Sequence, residues 1–158
     1  MQKISPFLWF DSNAEEAVNF YTSIFKNSKV KDVSRYGDAG PGPKGQVMVM
    51  NFEIEGQDFV ALNGGPRFKF TEAISFVVHC KGQKEVDHYW DKLLEGGGQT
   101  QACGWLKDRF GLSWQIVPDE FFELMKDKDT AVRNRVMQAM MGMIKFDVEG
   151  LKKAAAGQ

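Results

Sequence analysis

Cys103-Gly104-Trp105-Leu106-Lys107-Asp108-Arg109-Phe110-Gly111-Leu112-Ser113-Trp114-Gln115-Ile116-Val117-Pro118 carries two tryptophans, two glycines and an Asp-Arg pair around a turn. The period of two over residues 112–117 predicts a half-buried strand. It puts Ser113 and Gln115 on one face and Trp114 on the other. Asp108-Arg109 and Gly111 predict the turn, with the glycine supplying an unusual backbone angle. Residues 100–106 read as the strand that enters it.

Working back from this hairpin, residues 83–94 predict a helix that buries Val86, Trp90, Leu93 and Leu94. Gly96-Gly97-Gly98 ends it, because glycine readily takes the left-handed cap conformation. Residues 73–80 predict the strand before that helix.

The first half repeats the order. A strand over residues 3–10 runs into Asp11-Ser12-Asn13, and Asn13 with Glu16 resembles a capping box. Ala14, Ala17, Val18, Tyr21, Ile24 and Phe25 then form a helical stripe. A strand over 30–36, a loop over 37–45 with Pro41 and Pro43, and a hairpin of 46–54 with 57–63 across Glu55-Gly56 complete the half. The two helices begin near residues 14 and 83, 69 apart, and Ile4-Ser5 recurs as Ile74-Ser75, 70 apart. This is an internal duplication of class α+β, each half a strand, a helix and antiparallel strands. The second module reads as shortened, since residues 100–117 must supply all its later strands.

The expected organisation is a domain over residues 1–118, with modules of about 1–66 and 67–118, and a helical C-terminal extension over 119–158. The extension reads as helices over 119–126 and 130–143, the second bearing Met137, Met140, Met141 and Met143, and a short helix after Asp147. Methionine is a pliable packer, so the extension is expected against the domain or a dimer partner; a lid over a ligand site is the alternative.

Bulk properties narrow the class. The 158 residues are 43% hydrophobic and 13% aromatic, enough for a buried core. Twenty basic against 21 acidic residues give a net charge of −1, which points away from nucleic acid and anionic membranes. No apolar run reaches bilayer length, and the first residues lack a signal peptide's apolar core. A cytoplasmic protein is expected, with Cys80 and Cys103 as free thiols.

Phe7-Leu8-Trp9-Phe10-Asp11, Asn13-Ala14-Glu15-Glu16-Ala17 and Phe20-Tyr21 resemble the opening of the PhnB-like group of the vicinal oxygen chelate superfamily. That superfamily also holds glyoxalase I, extradiol dioxygenases and bleomycin-resistance proteins. The likeness runs on through Gly64-Gly65-Pro66, Ile74-Ser75-Phe76, Trp90 and the stretch from Cys103 to Pro118, and the methionine-rich tail also looks like the group. Members often carry the label 3-demethylubiquinone-9 3-methyltransferase. The resemblance implies paired βαβββ modules, sheets curled around a cavity, and a homodimer.

In metal-dependent relatives, four inward side chains, typically His and Glu, hold a divalent ion. Laid on that pattern, this sequence offers Pro6, Asn63 or Ala61, Ser75 and Gln115. None supplies a charge to offset stripping water from the cation, so no metal and no cofactor are expected. Strand phase gives Leu8, Asn63, Ser75, Val77, His79, Ser113 and Gln115 as the cavity-facing set, with Trp105 at the mouth; Trp9 and Trp114 are expected against the helices. Neutral polar groups among apolar walls suit a small-molecule pocket. The expected function is therefore metal-free binding of a small apolar or aromatic molecule in an inter-module cavity. The alternative is a lyase or isomerase around His79, Cys103 and Asp108. A methyltransferase is disfavoured, because Gly37-Asp38-Ala39-Gly40-Pro41-Gly42 runs between strands rather than from a strand into a helix.

Overall fold

The computed structural model describes residues 2–158, and the chain divides into two units, Met1–Phe70 and Thr71–Gln158. In the first, β1 (Phe7–Phe10), α1 (Ala14–Ile24), β2 (Lys29–Arg35), β3 (Val47–Ile54) and β4 (Gln57–Asn63) form one sheet with a helix. The strand order is β1-β4-β3-β2, with β1 parallel to β4 and the other pairs antiparallel. Glu55 and Gly56 both take positive φ, 49° and 81°, as the two-residue β3–β4 hairpin demands.

Leu8, Phe10, Met50, Phe52, Phe59 and Ala61 are buried on one sheet face, and Ala14, Ala17, Val18 and Tyr21 of α1 are buried with them. Each large side chain fully removed from water there contributes about 1.5–3 kcal/mol.

The start of α1 departs from expectation. Asn13 makes no side-chain cap. Its place is taken by Asn63, whose Oδ1 accepts the Ala14 N–H at 2.8 Å while its Nδ2 donates to the Val47 carbonyl at 3.0 Å. Tyr36 Oη donates to the Asn63 carbonyl at 2.6 Å. The next residue must be glycine, since a Cβ on Gly64 would come within 2.5 Å of the Trp9 ring. Trp9 Nε1 in turn donates to the Gly65 carbonyl at 2.9 Å.

The second unit holds β5 (Ser75–Cys80), α2 (Gly82–Leu94), β6 (Gln99–Thr100), β7 (Trp105–Lys107), β8 (Ser113–Pro118), α3 (Asp119–Leu124), α4 (Thr130–Met141) and α5 (Val148–Ala155). Its order, β5-β8-β7-β6 with β5 parallel to β8, repeats the first sheet strand for strand. The second module is thus complete in strand number. The single strand expected over residues 100–106 is instead two, because Cys103 and Gly104 turn the chain at φ 59° and 79°.

The helical extension is joined to this unit. Gln83 on α2 donates from Nε2 to the Phe146 carbonyl at 2.9 Å and accepts the Val148 N–H at 2.8 Å. Lys145 pairs with Asp87 at 2.8 Å, and this holds the Asp87 carboxyl below its usual range. Arg135 caps the end of α5 through the Ala154 and Ala155 carbonyls. No described helix is long and apolar enough to cross a membrane.

Candidate ligand-binding site

In the second sheet, Phe76, Val78 and Cys80 share a face with Trp114, Ile116 and Leu106, the buried face. The alternation puts Ser75, Val77 and His79 on the opposite, open face, with Ser113, Gln115, Trp105 and Lys107 beside them. Register arranges these as two rows across β5, β8 and β7. One is Val77, Gln115, Trp105; the other is Ser75, Ser113, Lys107.

The rows differ in chemistry. Val77 is 41% exposed and Trp105 is half-buried, so the first row is an apolar and aromatic ledge around one amide. Gln115 Nε2 donates to Ser75 Oγ at 2.8 Å. The pair therefore presents the amide oxygen as acceptor and the serine hydroxyl as donor. Ser113 is fully buried, and its Oγ has no hydrogen-bond partner among the described residues. Lys107 closes the row in an ion pair with Glu72.

The Lys107 ammonium holds the Glu72 carboxyl below the ordinary value of 4.5. A carboxylate whose folded pKa is depressed stabilises the fold above its unfolded value, and that contribution is lost as pH falls through the folded one. Carbon-detected NMR titration is expected to give Glu72 a midpoint below 4.5, and Lys107→Met to return it to the usual range.

Ser75, Val77, His79, Ser113 and Gln115, grouped by strand phase, share one face of the second sheet, and Trp105, expected at a cavity mouth, lies on that face beside Gln115. Strand phase fails in the first module. Leu8 is buried on the α1 face, paired with Ala61, and the Asn63 side chain is consumed by Ala14 and Val47. Trp9, expected under the helix, lies on the opposite face of its own sheet, with Phe7, Val60 and Leu62. Phe68 meets its ring edge-on at 4.9 Å. Lys107 was missed, although its parity with Trp105 marks it; Glu72 and Phe68 lie in a connecting segment without periodicity.

The three residues of the catalytic alternative are dispersed. The His79 side chain is 63% exposed, with Nδ1 4.0 Å from Asp119 Oδ1 and its ring 5.1 Å from that of Phe122. Cys103 sits beyond the start of β7, its Sγ near the Met141 carbonyl. β8 separates β5, which carries His79, from β7, which Cys103 precedes, so those two strands lie about 10 Å apart. Asp108 is 3% exposed and committed to its turn. Its Oδ1 accepts the Phe110 and Leu112 N–H groups, and its Oδ2 accepts Trp114 Nε1. Cys80 is free but buried, and burial pushes its thiol up to about 12, which leaves it inert.

A divalent metal of the superfamily's kind does not fit these residues. On the first sheet Phe7, Trp9, Val60 and Leu62 share the face away from α1, with the Asp58 carboxylate at the start of β4 taken up by Lys31; on the second sheet Ser75, Val77, Ser113 and Gln115 lie on the central parts of β5 and β8. Apolar side chains and neutral hydroxyl or amide donors do not repay dehydration of such an ion. Among the described residues no three His, Cys, Asp or Glu side chains converge.

Comparison with known proteins places the fold in a family. The family model described as 3-demethylubiquinone-9 3-methyltransferase matches residues 2–117. The PhnB protein from Bacillus cereus is 38% identical, with a TM-score of 0.67 over 74% of this chain and 99% of its own. The chain belongs to the PhnB-like family. Protein PA1353 from Pseudomonas aeruginosa (21% identity, TM-score 0.61, 75% of this chain and 98% of its own) shares the fold with this PhnB-like chain. So does the fosfomycin resistance protein FosX from Mesorhizobium loti (10% identity, TM-score 0.54, 73% and 91%), a likeness of fold alone. No curated protein matches at a significant level. The tail, which the resemblance had included, lies beyond the residues that the PhnB-like family model matches.

Proposed function

We propose that this PhnB-like protein binds a small apolar or aromatic molecule, without a metal, on the open face built from Trp105, Gln115, Val77 and Ser75. The supporting observation is the register that sets an indole and a valine on either side of one amide, with a serine hydroxyl bonded to that amide. Apolar area supplies the affinity in such a site, and a few placed polar groups supply orientation. The uncharged donors support binding over Lewis-acid chemistry.

Methyl transfer, named in the family's description, does not carry over easily. The glycine-rich stretch joins antiparallel β2 and β3, where the Tyr36 N–H and carbonyl bond Gln46 and Gly45. A Cβ on Gly40 would come within 2.6 Å of the Tyr36 ring, and one on Gly42 would also strike it. These glycines make room for a tyrosine, not for a cofactor at a helix N-terminus.

The test is a thermal-shift series with a small-molecule panel and divalent metals, with and without chelator, using 8-anilinonaphthalene-1-sulfonate as a fluorescent binding probe. Trp105→Ala and Gln115→Ala are each expected to weaken probe binding by about 1–2 kcal/mol, roughly 5- to 30-fold. Undiminished binding by both variants overturns the site. A saturable metal-induced shift that chelator abolishes overturns the metal-free reading. The same reading includes a cytoplasmic homodimer, supported by the family resemblance; a monomeric mass in sedimentation at micromolar concentration overturns the dimer.

A further inference from the structure

We propose that the C-terminal extension positions the ligand face, with Phe146 and Gln83 as the positioning residues that fix Trp105. The inference rests on the functional reading above.

The turn that presents Trp105 is held from two sides. On the sheet side, the Gly104 carbonyl accepts the Ile116 N–H at 2.8 Å, and Trp105 bonds across the turn to Ala102 and Gln101. On the other side the extension supplies backbone as a further strand would. Cys103 N–H donates to the Met143 carbonyl and Gly104 N–H to the Ile144 carbonyl, both at 2.8 Å.

Phe146, 2% exposed, seats its ring against Gly104, where any Cβ would strike it, and 5.3 Å from Phe121. Gly104 therefore needs to be glycine twice over, for its φ of 79° and for this ring. The Gln83 amide then grips the extension on both sides of Asp147, through the Phe146 carbonyl and the Val148 N–H. A path of direct contacts thus runs from α2 through Phe146 to the residue preceding Trp105. None of these extension residues lies within the family match, which ends at residue 117.

The test is fluorine NMR of the full chain labelled with 5-fluorotryptophan, its four tryptophan resonances assigned by single Trp→Phe variants. Gln83→Ala removes the grip, and Phe146→Leu, the milder change, reshapes the contact at Gly104. Both are expected to shift or broaden the Trp105 resonance, leave that of Trp9 in place, and weaken 8-anilinonaphthalene-1-sulfonate binding about 3- to 10-fold at a temperature where both variants are folded. A Trp105 resonance unmoved in both variants overturns the proposal, whatever the probe does. A moved resonance with unchanged probe affinity also overturns it. If Trp105→Ala and Gln115→Ala both bind the probe as the parent does, the functional reading fails, and the resonance alone then decides whether the extension positions Trp105.

Discussion

Asp108→Ala is expected to lower the free energy of unfolding by about 3–5 kcal/mol, the largest single effect predicted for this chain. The carboxylate is 3% exposed and serves the Phe110 and Leu112 N–H groups and the Trp114 indole. Truncation strands the Leu112 N–H and the Trp114 indole in buried positions that bulk water does not reach, and frees the part-buried Phe110 N–H. An unmet buried donor costs about 1–3 kcal/mol, and the three are not additive because the turn relaxes as a whole. Asp108→Asn separates the contributions. Its amide oxygen still accepts from the turn, but its NH2 then faces Trp114 Nε1, donor against donor, so a loss intermediate between parent and alanine is expected. Chemical denaturation with tryptophan fluorescence measures both. Parental stability in the alanine variant would mean that Asp108 does not organise the turn.

Asn63→Ala ranks second, at about 2–4 kcal/mol. One side chain closes two gaps that are distant in sequence: the first N–H of α1, where Asn13 supplies no cap, and the carbonyl of Val47. An ordinary N-cap loss costs about 1 kcal/mol at an exposed helix end. Here the donor is buried and a second partner is stranded with it, so the loss is larger. Asn63→Asp discriminates: its carboxylate still accepts from Ala14 but sets an oxygen against the Val47 carbonyl in a buried site, so little of the stability is expected to return although the Ala14 amide keeps its acceptor. Amide hydrogen exchange at Ala14 is the local readout. If that amide stays protected in Asn63→Ala, the cross-sheet cap is not what holds the helix start.

Asn63 also shows where the sequence stops being informative. Its polarity and strand position suggested a ligand contact, but its partners are Ala14 and Val47, and no local pattern announces a cap supplied from 49 residues away. The inverted reading of β1 has a different cause. Phe7-Leu8-Trp9-Phe10 is apolar throughout, so the period that distinguishes one face from the other is missing, and an error of one residue exchanges the faces. β5 and β8 alternate polar with apolar residues, and there the faces were legible. The duplication was legible too, since two similar patterns 69 residues apart confirm each other even where each is indistinct. The β6–β7 turn was not, because Cys103 occupies a left-handed conformation that its side chain does not advertise.

The parallel pairing of β1 with β4, and of β5 with β8, also fixes a timetable for synthesis. In each sheet the middle strands join by hairpins between chain neighbours, while the first strand must wait for the last. β1 has no partner until Asn63 has left the ribosome, and β5 has none until Pro118 has. At about 5–20 residues per second, each opening strand stands unpaired for seconds. Over that interval the apolar Phe7-Leu8-Trp9-Phe10 stands without the β4 strand that pairs it in the fold.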